Sequence, residues 1–175
     1  MSYQSFPTLQ PAFKATCLLD AGQFPCGKIH SGSTLIMVPF SGGFVKSVEG
    51  FEPKIDMEIK GGEDWFEIDG DMKAGRLKIN VLASDTEGRC ARFIAEGVTP
   101  ITEEINALVS GDPNAKSSDW GFGVNAIRVQ TGHPEYQALE GMVFAASQRF
   151  KKLESGVVAA EVHVSRVIPG TGNQS

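Results

Sequence analysis

A carboxylate beside a large aromatic side chain is the strongest chemical signal in this sequence. The segment Lys60–Trp65 reads KGGEDW, so Asp64 follows two glycines and precedes Trp65. Because paired glycines let a strand bend or bulge, they re-aim the side chains that follow. Burial would then raise the pKa of the Asp64 carboxyl toward the values that a general acid or base needs. The alternative is a turn in which Asp64 accepts backbone hydrogen bonds and Trp65 packs in the core.

Glu140 is the second candidate carboxylate. On a strand it would share a face with Met142 and Phe144. A charged group on an apolar face is costly unless it is paired or functional. We therefore predict a catalytic pair of Asp64 and Glu140. The alternative is a strand end at which Glu140 reaches water.

Polar side chains on other predicted strands extend the candidate site. Lys78 and Asn80 alternate with apolar residues, so one of these two faces must be the core. Facing a lumen, they would join the catalytic set by binding a carbonyl or phenolate oxygen. Arg128 alternates in the same ambiguous way and is predicted to bind substrate. Glu161 with His163, if both faced the lumen, would indicate a hydrolase or isomerase instead, although a structural role for His163 is favoured.

Large apolar side chains are predicted to hold a flat, mostly apolar ligand. Besides Arg128, the predicted substrate-binding residues are Trp65, Trp120, Phe122, Met142 and Phe144. The alternative for Trp120 and Phe122 is that they only fill one end of the fold.

Composition and residue patterns exclude several classes of partner and cofactor. A net charge of -5 over 175 residues argues against nucleic acid, which needs clustered Lys and Arg. No run reaches the roughly 18 apolar residues of a membrane helix, and the first residues lack the pattern of a signal peptide, so we expect a cytoplasmic protein. The three cysteines form no CxxC pair and have no ligand spacing with the three histidines. Because nucleotide-binding patterns are missing as well, we expect neither a metal nor a cofactor.

The elements that would position these residues are short strands. Twenty Gly and nine Pro punctuate β-like runs, which predicts a mainly β fold, a single antiparallel β-barrel with one short helix between strands. The predicted strands are Ala12–Asp20, Ser33–Phe40, Gly43–Val48, Lys54–Lys60, Trp65–Ile68, Gly75–Ala83, Arg89–Glu96, Phe122–Gln130, Tyr136–Lys151 and Val157–Ile168. We expect the barrel to span residues 12–168, with an N-terminal arm over 1–11 and a disordered tail over 169–175.

The helix is predicted between the strands that precede and follow a polar loop. Thr99 would cap it, Pro100 would take its first position and Gly111 would end it. Its apolar face would consist of Ile101, Ile105, Leu108 and Val109. The helix could plug one end of the barrel or merely connect strands.

The run Met142–Ala146 is apolar or small on both faces, which would suit a homo-oligomer.

Several strings together resemble one known family, the small β-barrels of domain of unknown function 3237. They are Pro39–Gly43, Gly61–Trp65, Asp69 with Gly70, Gly88, Thr131–Tyr136, and Leu139 with Phe144. The resemblance covers roughly residues 13–167. It implies a barrel whose lumen carries polar side chains, and fungal relatives look like cofactor-free cyclases of aromatic polyketides.

Departures from the family pattern concern the lumen. Asn80 stands where the family usually has an inward Arg, and Val124 or a neighbour replaces a second Arg. The family's Trp-Leu-Asn corresponds to Ala138–Glu140 here. Of the usual polar set only Asp64 is kept, which favours acid–base work on a neutral or phenolic ligand over binding of an anion.

These observations predict a cofactor-independent cyclase that adds a hydroxyl across an alkene in an aromatic, polyketide-derived small molecule. One carboxylate would orient or deprotonate the hydroxyl and the other would protonate the alkene carbon. The alternative is a non-catalytic barrel that binds or carries a small hydrophobic ligand.

Overall fold

The computed structural model describes residues 5–19, 22–109 and 112–171. Its strands are β1 Thr8–Leu18, β2 Phe24–Lys28, β3 Thr34–Phe40, β4 Gly42–Ser47, β5 Asp56–Ile68, β6 Ala74–Ser84, β7 Cys90–Pro100, β8 Gly123–Gln130, β9 Phe144–Lys152 and β10 Val158–Ile168. A helix α1, Glu103–Val109, lies between β7 and β8, and a 3₁₀ helix, Gln137–Gly141, precedes β9.

The strands close into an antiparallel barrel, which confirms the predicted fold class. The ring of eight strands runs β5-β4-β1-β10-β9-β8-β7-β6 and closes where β6 pairs with β5. Strand β3 continues the path of β4 along the second half of β5, and β2 pairs with the outer edge of β3. Closure leaves a lumen, because every second side chain of a barrel strand points inward.

Residue patterns explain which faces line the lumen. In β8 the residues Gly123, Asn125, Ile127 and Val129 are buried and alternate with exposed ones. The same alternation holds in β6, where Leu77 is buried and its neighbours are exposed. Such strict alternation is what a strand with one inward face requires.

One bulge changes this alternation within β5. Ile59 pairs with Ala83 and Gly61 pairs with Leu82, so Lys60 is an extra residue. Met57 and Ile59 face inward before the bulge, whereas Asp64 is buried after it. The bulge therefore shifts the inward face from odd to even residue numbers, as the paired glycines predicted.

Aromatic packing fills one end of the barrel. Phe13 makes edge-on contacts with Phe93 and Phe144 at centroid distances of 5.8 and 5.2 Å, and a tilted contact with Phe51 at 6.4 Å. These rings, with the buried Leu139 of the 3₁₀ helix, belong to the main hydrophobic core. Side chains fill this end of the barrel as far as Phe13 and Phe93, which border a cavity.

Helix α1 covers a part of the barrel interior away from this aromatic packing. Its Ile105 and Leu108 are buried against Phe150 of β9, which confirms a plug rather than a plain connector. The helix starts later than predicted, because Thr99 and Pro100 belong to the end of β7. The cap is Thr102, whose Oγ1 accepts a hydrogen bond from the Ile105 N–H at 3.2 Å.

Other boundaries also differ from the prediction. The predicted strands Lys54–Lys60 and Trp65–Ile68 are one strand joined through the bulge, and β2 was not predicted. The prediction of a strand over Tyr136–Lys151 is wrong in its first half, which forms the 3₁₀ helix. Strand β1 already begins at Thr8, where it pairs with β10. The predicted helix end at Gly111, the strand end at Asp20 and the tail residues 172–175 lie outside the described residues.

Candidate functional site

The candidate site is a lumen with two adjoining chambers. The first has a volume of about 60 Å³ and the second about 50 Å³. Since one water molecule needs roughly 10–15 Å³ of accessible space, each chamber has room for more than one water or for part of a ligand. Both chambers are lined by Phe40, Ile79, Gln148 and Ala160, so they meet at these side chains.

Asp64 lines the second chamber. Its side chain is 6% exposed, and Oδ1 accepts a hydrogen bond from the backbone N–H of Lys78 at 2.9 Å. Burial raises the pKa of the Asp64 carboxyl to about 7, although the Lys78 N–H partly counteracts this. Near neutral pH the carboxyl group is therefore present in both its acid and its base form, which a proton-transfer group needs.

The structure combines features of both sequence-based interpretations of Asp64, the cavity-lining carboxyl group and the acceptor of a backbone hydrogen bond. The side chain does accept a backbone hydrogen bond, but it does so from inside a strand and while lining a cavity. Trp65 does not pack in the core, because it is 40% exposed on the outer face of β5.

Cys17 lies near Asp64 on the wall of the first chamber. Burial and the negative charge of Asp64 raise the pKa of its thiol to about 12, so it is protonated at neutral pH. All three cysteines are free, but only Cys17 is buried. A thiol held in this form is a poor nucleophile.

Two buried amides complete the polar part of the lumen. Asn125 of β8 and Gln148 of β9 are 5% and 2% exposed. Asn125 Nδ2 donates a hydrogen bond to Gln148 Oε1 at 2.8 Å. Sequence reasoning missed both residues. The alternation of β8 places Asn125 on the same face as Ile127 and Val129, and that signal could have identified it.

Glu140 is not in the lumen, which corrects the predicted carboxylate pair. It belongs to the 3₁₀ helix and is exposed, and its Oε1 accepts a hydrogen bond from the Thr131 N–H at 2.8 Å. The prediction was wrong because a 3₁₀ helix replaces the strand that would have aligned Glu140 with Met142 and Phe144. The alternative of a chain segment that reaches water is correct.

Three further predicted polar residues lie on the outer face. The Lys78 ammonium is 3.3 Å from Glu67, and Asn80 Oδ1 accepts a hydrogen bond from Arg92 Nε at 3.1 Å. Arg128 is exposed. The apolar residues of β6 and β8 take the inward positions instead, so only the backbone N–H of Lys78 contributes to the site.

The predicted aromatic set is divided between surface and core. Trp120 is 38% exposed and stacks on His163 at a centroid distance of 4.1 Å. Phe122 packs against the buried cluster of Ile105, Leu108 and Phe150, while Met142 and Phe144 belong to the main core. None of these four lines either chamber. The apolar walls of the two chambers are formed instead by Phe40, Phe66, Phe93, Ile79 and their apolar neighbours.

The hydrolase or isomerase hypothesis based on Glu161 and His163 is wrong. Both point away from the lumen, since Ala160, Val162 and Val164 take the inward positions of β10. Glu161 forms ion pairs with Arg149 and Lys151 at 2.6 and 3.4 Å. Across residues 5–19, 22–109 and 112–171, no three His, Cys, Asp or Glu side chains are grouped to hold a metal ion, and no helix is long and apolar enough to cross a bilayer.

The fold and the lumen define a class of protein, a small closed antiparallel barrel whose mostly apolar interior holds the buried carboxyl group of Asp64. A family model described as protein of unknown function (DUF3237) matches residues 7–167. The chain belongs to this family, which confirms the resemblance seen in its motifs.

Solved structures support the same fold. The chain is similar to a β-barrel-like protein from Acinetobacter baumannii, with a TM-score of 0.65 and 17% identity over 91% of this chain and 96% of that one. It is similar to a conserved protein of unknown function from Rhodopseudomonas palustris, with a TM-score of 0.68 and 22% identity over 93% and 98%. An enzyme from Penicillium herquei matches with a TM-score of 0.55 and 12% identity over 90% and 94%. No curated protein matches the chain.

Proposed function

We propose that this protein is a cofactor-independent cyclase in which Asp64 alone is the acid–base group. The observation that carries the proposal is the place of Asp64. Among the described residues it is the one acidic or basic side chain that lines either chamber. Its pKa of about 7 lets one carboxyl group give up a proton and take another in a single turnover.

The reaction is the closure of an oxygen ring in a small aromatic molecule of polyketide type that carries a hydroxyl group and an alkene. Protonated Asp64 transfers its proton to one alkene carbon, the hydroxyl oxygen bonds to the other, and the hydroxyl proton passes to the Asp64 carboxylate. One C–H and one C–O bond form, while the O–H bond and the alkene π bond break. The carboxyl group is restored, so the net change is an isomerisation.

The hydrogen bond of Asp64 explains how one carboxyl group could perform both transfers. Oδ1 is held by the Lys78 N–H, which fixes the plane of the carboxyl group and leaves Oδ2 for the substrate. The apolar walls keep the reacting groups away from water, so that a cationic or strained form of the substrate is not captured by water. The Penicillium herquei neighbour is described as an enzyme, which agrees with catalysis in a barrel of this fold.

The proposal can be tested with 2-(3-methylbut-2-enyl)phenol, whose ring closure gives 2,2-dimethylchroman. The wild-type protein should catalyse this reaction, and deuterium should enter the ring carbon next to the new quaternary centre in D₂O. Asp64→Asn should lower kcat by at least about 100-fold, because general acid–base catalysis contributes roughly 10²–10⁴-fold. The wild-type rate should fall as the pH rises through about 7, since the reaction starts from the protonated carboxyl group.

Two matched variants serve as controls. Glu63→Gln makes the same chemical change on the neighbouring residue of β5, and Glu140→Gln makes it on the exposed carboxylate of the 3₁₀ helix. Both should keep the wild-type rate. If Asp64→Asn also keeps that rate, the proposed function is wrong.

A non-catalytic carrier is the second candidate, and the first chamber favours it. Its lining consists almost entirely of apolar side chains, with Cys17, Asn125 and Gln148 as the exceptions. A carrier would bind the prenylated phenol without converting it, and Asp64→Asn would change its affinity alone. Product analysis by mass spectrometry after overnight incubation separates the two functions.

A further inference from the structure

The two lumen amides are placed by the backbone around them. Gly97 of β7 pairs with Asn125, and Gly123 of β8 pairs with Gln148. A Cβ atom on Gly97 would lie 2.1 Å from Asn125 Oδ1, and one on Gly123 would lie 2.8 Å from Gln148 Nε2. Both distances are shorter than a normal contact of a Cβ atom, so any other residue at these positions would displace the amide from the place that it occupies.

Hydrogen bonding is incomplete in this pair. Gln148 Oε1 is satisfied by Asn125 Nδ2. No described residue accepts a hydrogen bond from Gln148 Nε2, and Asn125 Oδ1 is buried without a partner. Buried amides in proteins are nearly always satisfied, so a donor left open toward a cavity calls for a ligand or water.

Gln148 also stands where a ligand would have to pass. It lines both chambers, and the second chamber is lined by Asp64 as well. A molecule that reaches Asp64 and extends into the first chamber therefore crosses the Gln148 side chain. Among the described residues Asp64 is the one charged side chain that lines the chambers, and the other polar side chains there are Cys17, Gln23, Thr99 and Asn125.

We propose that Gln148, held in place by Asn125, donates a hydrogen bond from Nε2 to a carbonyl oxygen of the substrate. The substrate is then a small, uncharged or phenolic aromatic molecule with two oxygen functions. One oxygen accepts from Gln148, and the other carries the hydroxyl group that Asp64 engages. This inference rests on the proposed function for the location of the ligand, and it gives Gln148 the role that sequence reasoning gave to Lys78 and Asn80.

Two probe molecules with one skeleton test this assignment by binding alone. 4′-Hydroxyacetophenone and 4-ethylphenol share the phenol ring, but only the first carries a carbonyl oxygen. Gln148→Met removes both N–H groups and keeps a side chain of similar length. It should weaken binding of 4′-hydroxyacetophenone about three- to tenfold, the effect of one neutral hydrogen bond, and change the affinity for 4-ethylphenol less than twofold.

One control variant and one independent measurement accompany this test. Gln137→Met makes the same substitution on the exposed surface of the 3₁₀ helix and should leave both affinities unchanged. If Gln148→Met does not fold, the wild-type protein alone still tests the assignment by NMR. In the ¹⁵N-labelled wild-type protein, the Gln148 side-chain amide signal should shift more with 4′-hydroxyacetophenone than with 4-ethylphenol.

The outcomes are distinct from those of the cyclase test. An unchanged ratio of the two affinities in Gln148→Met, or failure of the wild-type protein to bind either probe at millimolar concentration, would overturn the role of Gln148. Loss of the carbonyl preference together with full turnover by Asp64→Asn would leave Gln148 as a ligand-binding residue and refute the cyclase.

Discussion

Replacing Asp64 by Asn should stabilise the protein at neutral and alkaline pH. The substitution keeps the size of the side chain and an oxygen that can accept the Lys78 N–H, but it removes the ionisable group. The pKa of Asp64 rises from 3.8 to about 7 on folding because burial disfavours the charged form. At about 1.4 kcal/mol per pKa unit, ionised Asp64 costs the folded state about 4 kcal/mol.

The sign follows from proton binding. Between pH 4 and pH 7 the unfolded chain has lost the Asp64 proton while the folded protein keeps it, so the free energy of unfolding falls as the pH rises. Below about pH 4 both states are protonated, and above about pH 7 both are ionised. The difference in stability between Asp64→Asn and wild type should therefore grow by about 4 kcal/mol from pH 4 to pH 8 in favour of the variant.

Urea unfolding followed by tryptophan fluorescence at five pH values from 4 to 8 measures this difference. Other groups with shifted pKa values, such as Glu161 and His163, titrate in both proteins and cancel in the comparison. Glu63→Gln is the matched control and should show no such growth. A difference between Asp64→Asn and wild type that stays constant within about 0.5 kcal/mol would refute the reasoning, because Asp64 would then titrate alike in both states.

Two further predictions concern the surroundings of Asp64. Gly62→Ala should lower the free energy of unfolding by at least about 2 kcal/mol, since its Cβ would lie 2.3 Å from the Asn80 carbonyl oxygen. The control Gly141→Ala, which has open space around it, should change the free energy of unfolding by less than about 0.5 kcal/mol. Equal urea midpoints for the two variants would contradict this prediction. Asp64→Asn should lower the pKa of the Cys17 thiol, because the charge of Asp64 raises it, and should speed its alkylation by iodoacetamide at pH 9 when the two exposed cysteines are serine; an unchanged rate would show that burial alone raises that pKa.

The barrel could be predicted because its signals are local. Alternation in β6 and β8, hairpin glycines and the Gly61–Gly62 pair each report on the few residues around them. The short helix was also visible as an apolar face, but its start was not. Thr99 and Thr102 are both plausible caps in sequence, and only the pairing of β7 with β6 as far as Pro100 decides between them.

The site was harder to predict because alternation shows two faces without saying which is inside. Lys78 and Asn80 could line a polar lumen or an outer surface, and the closure of the barrel decides for the surface. The predicted lumen position of Glu140 was wrong for another reason. Five residues of 3₁₀ helix end the alternation just before β9, and the sequence marks this segment with Pro134 before it and Gly141 at its end, two breakers that the predicted strand Tyr136–Lys151 ignored.

The inward position of Asp64 could be predicted from its neighbours in the chain, whereas the open space that Gln148 occupies could not. The paired glycines stand beside Asp64 in the chain, so its unusual position can be read from adjacent residues. Gln148 is placed by Gly123, which lies on another strand and becomes its neighbour only through the pairing of β8 with β9. A signal that depends on register between strands is not present in either segment alone.

The irregular features of this barrel share one effect. The bulge at Lys60 turns Asp64 inward, Gly97 leaves space for Asn125, and Gly123 leaves space for Gln148. Each of them weakens the barrel, because glycine in a strand, an unpaired ladder position and a buried polar group all cost stability. Regular strands with apolar side chains at these positions would give a more stable protein with a filled interior. Local rules that are broken at separate places and with a common result indicate a functional site, so the lumen, and not the exposed Trp120 or Arg128, is where chemistry should be sought.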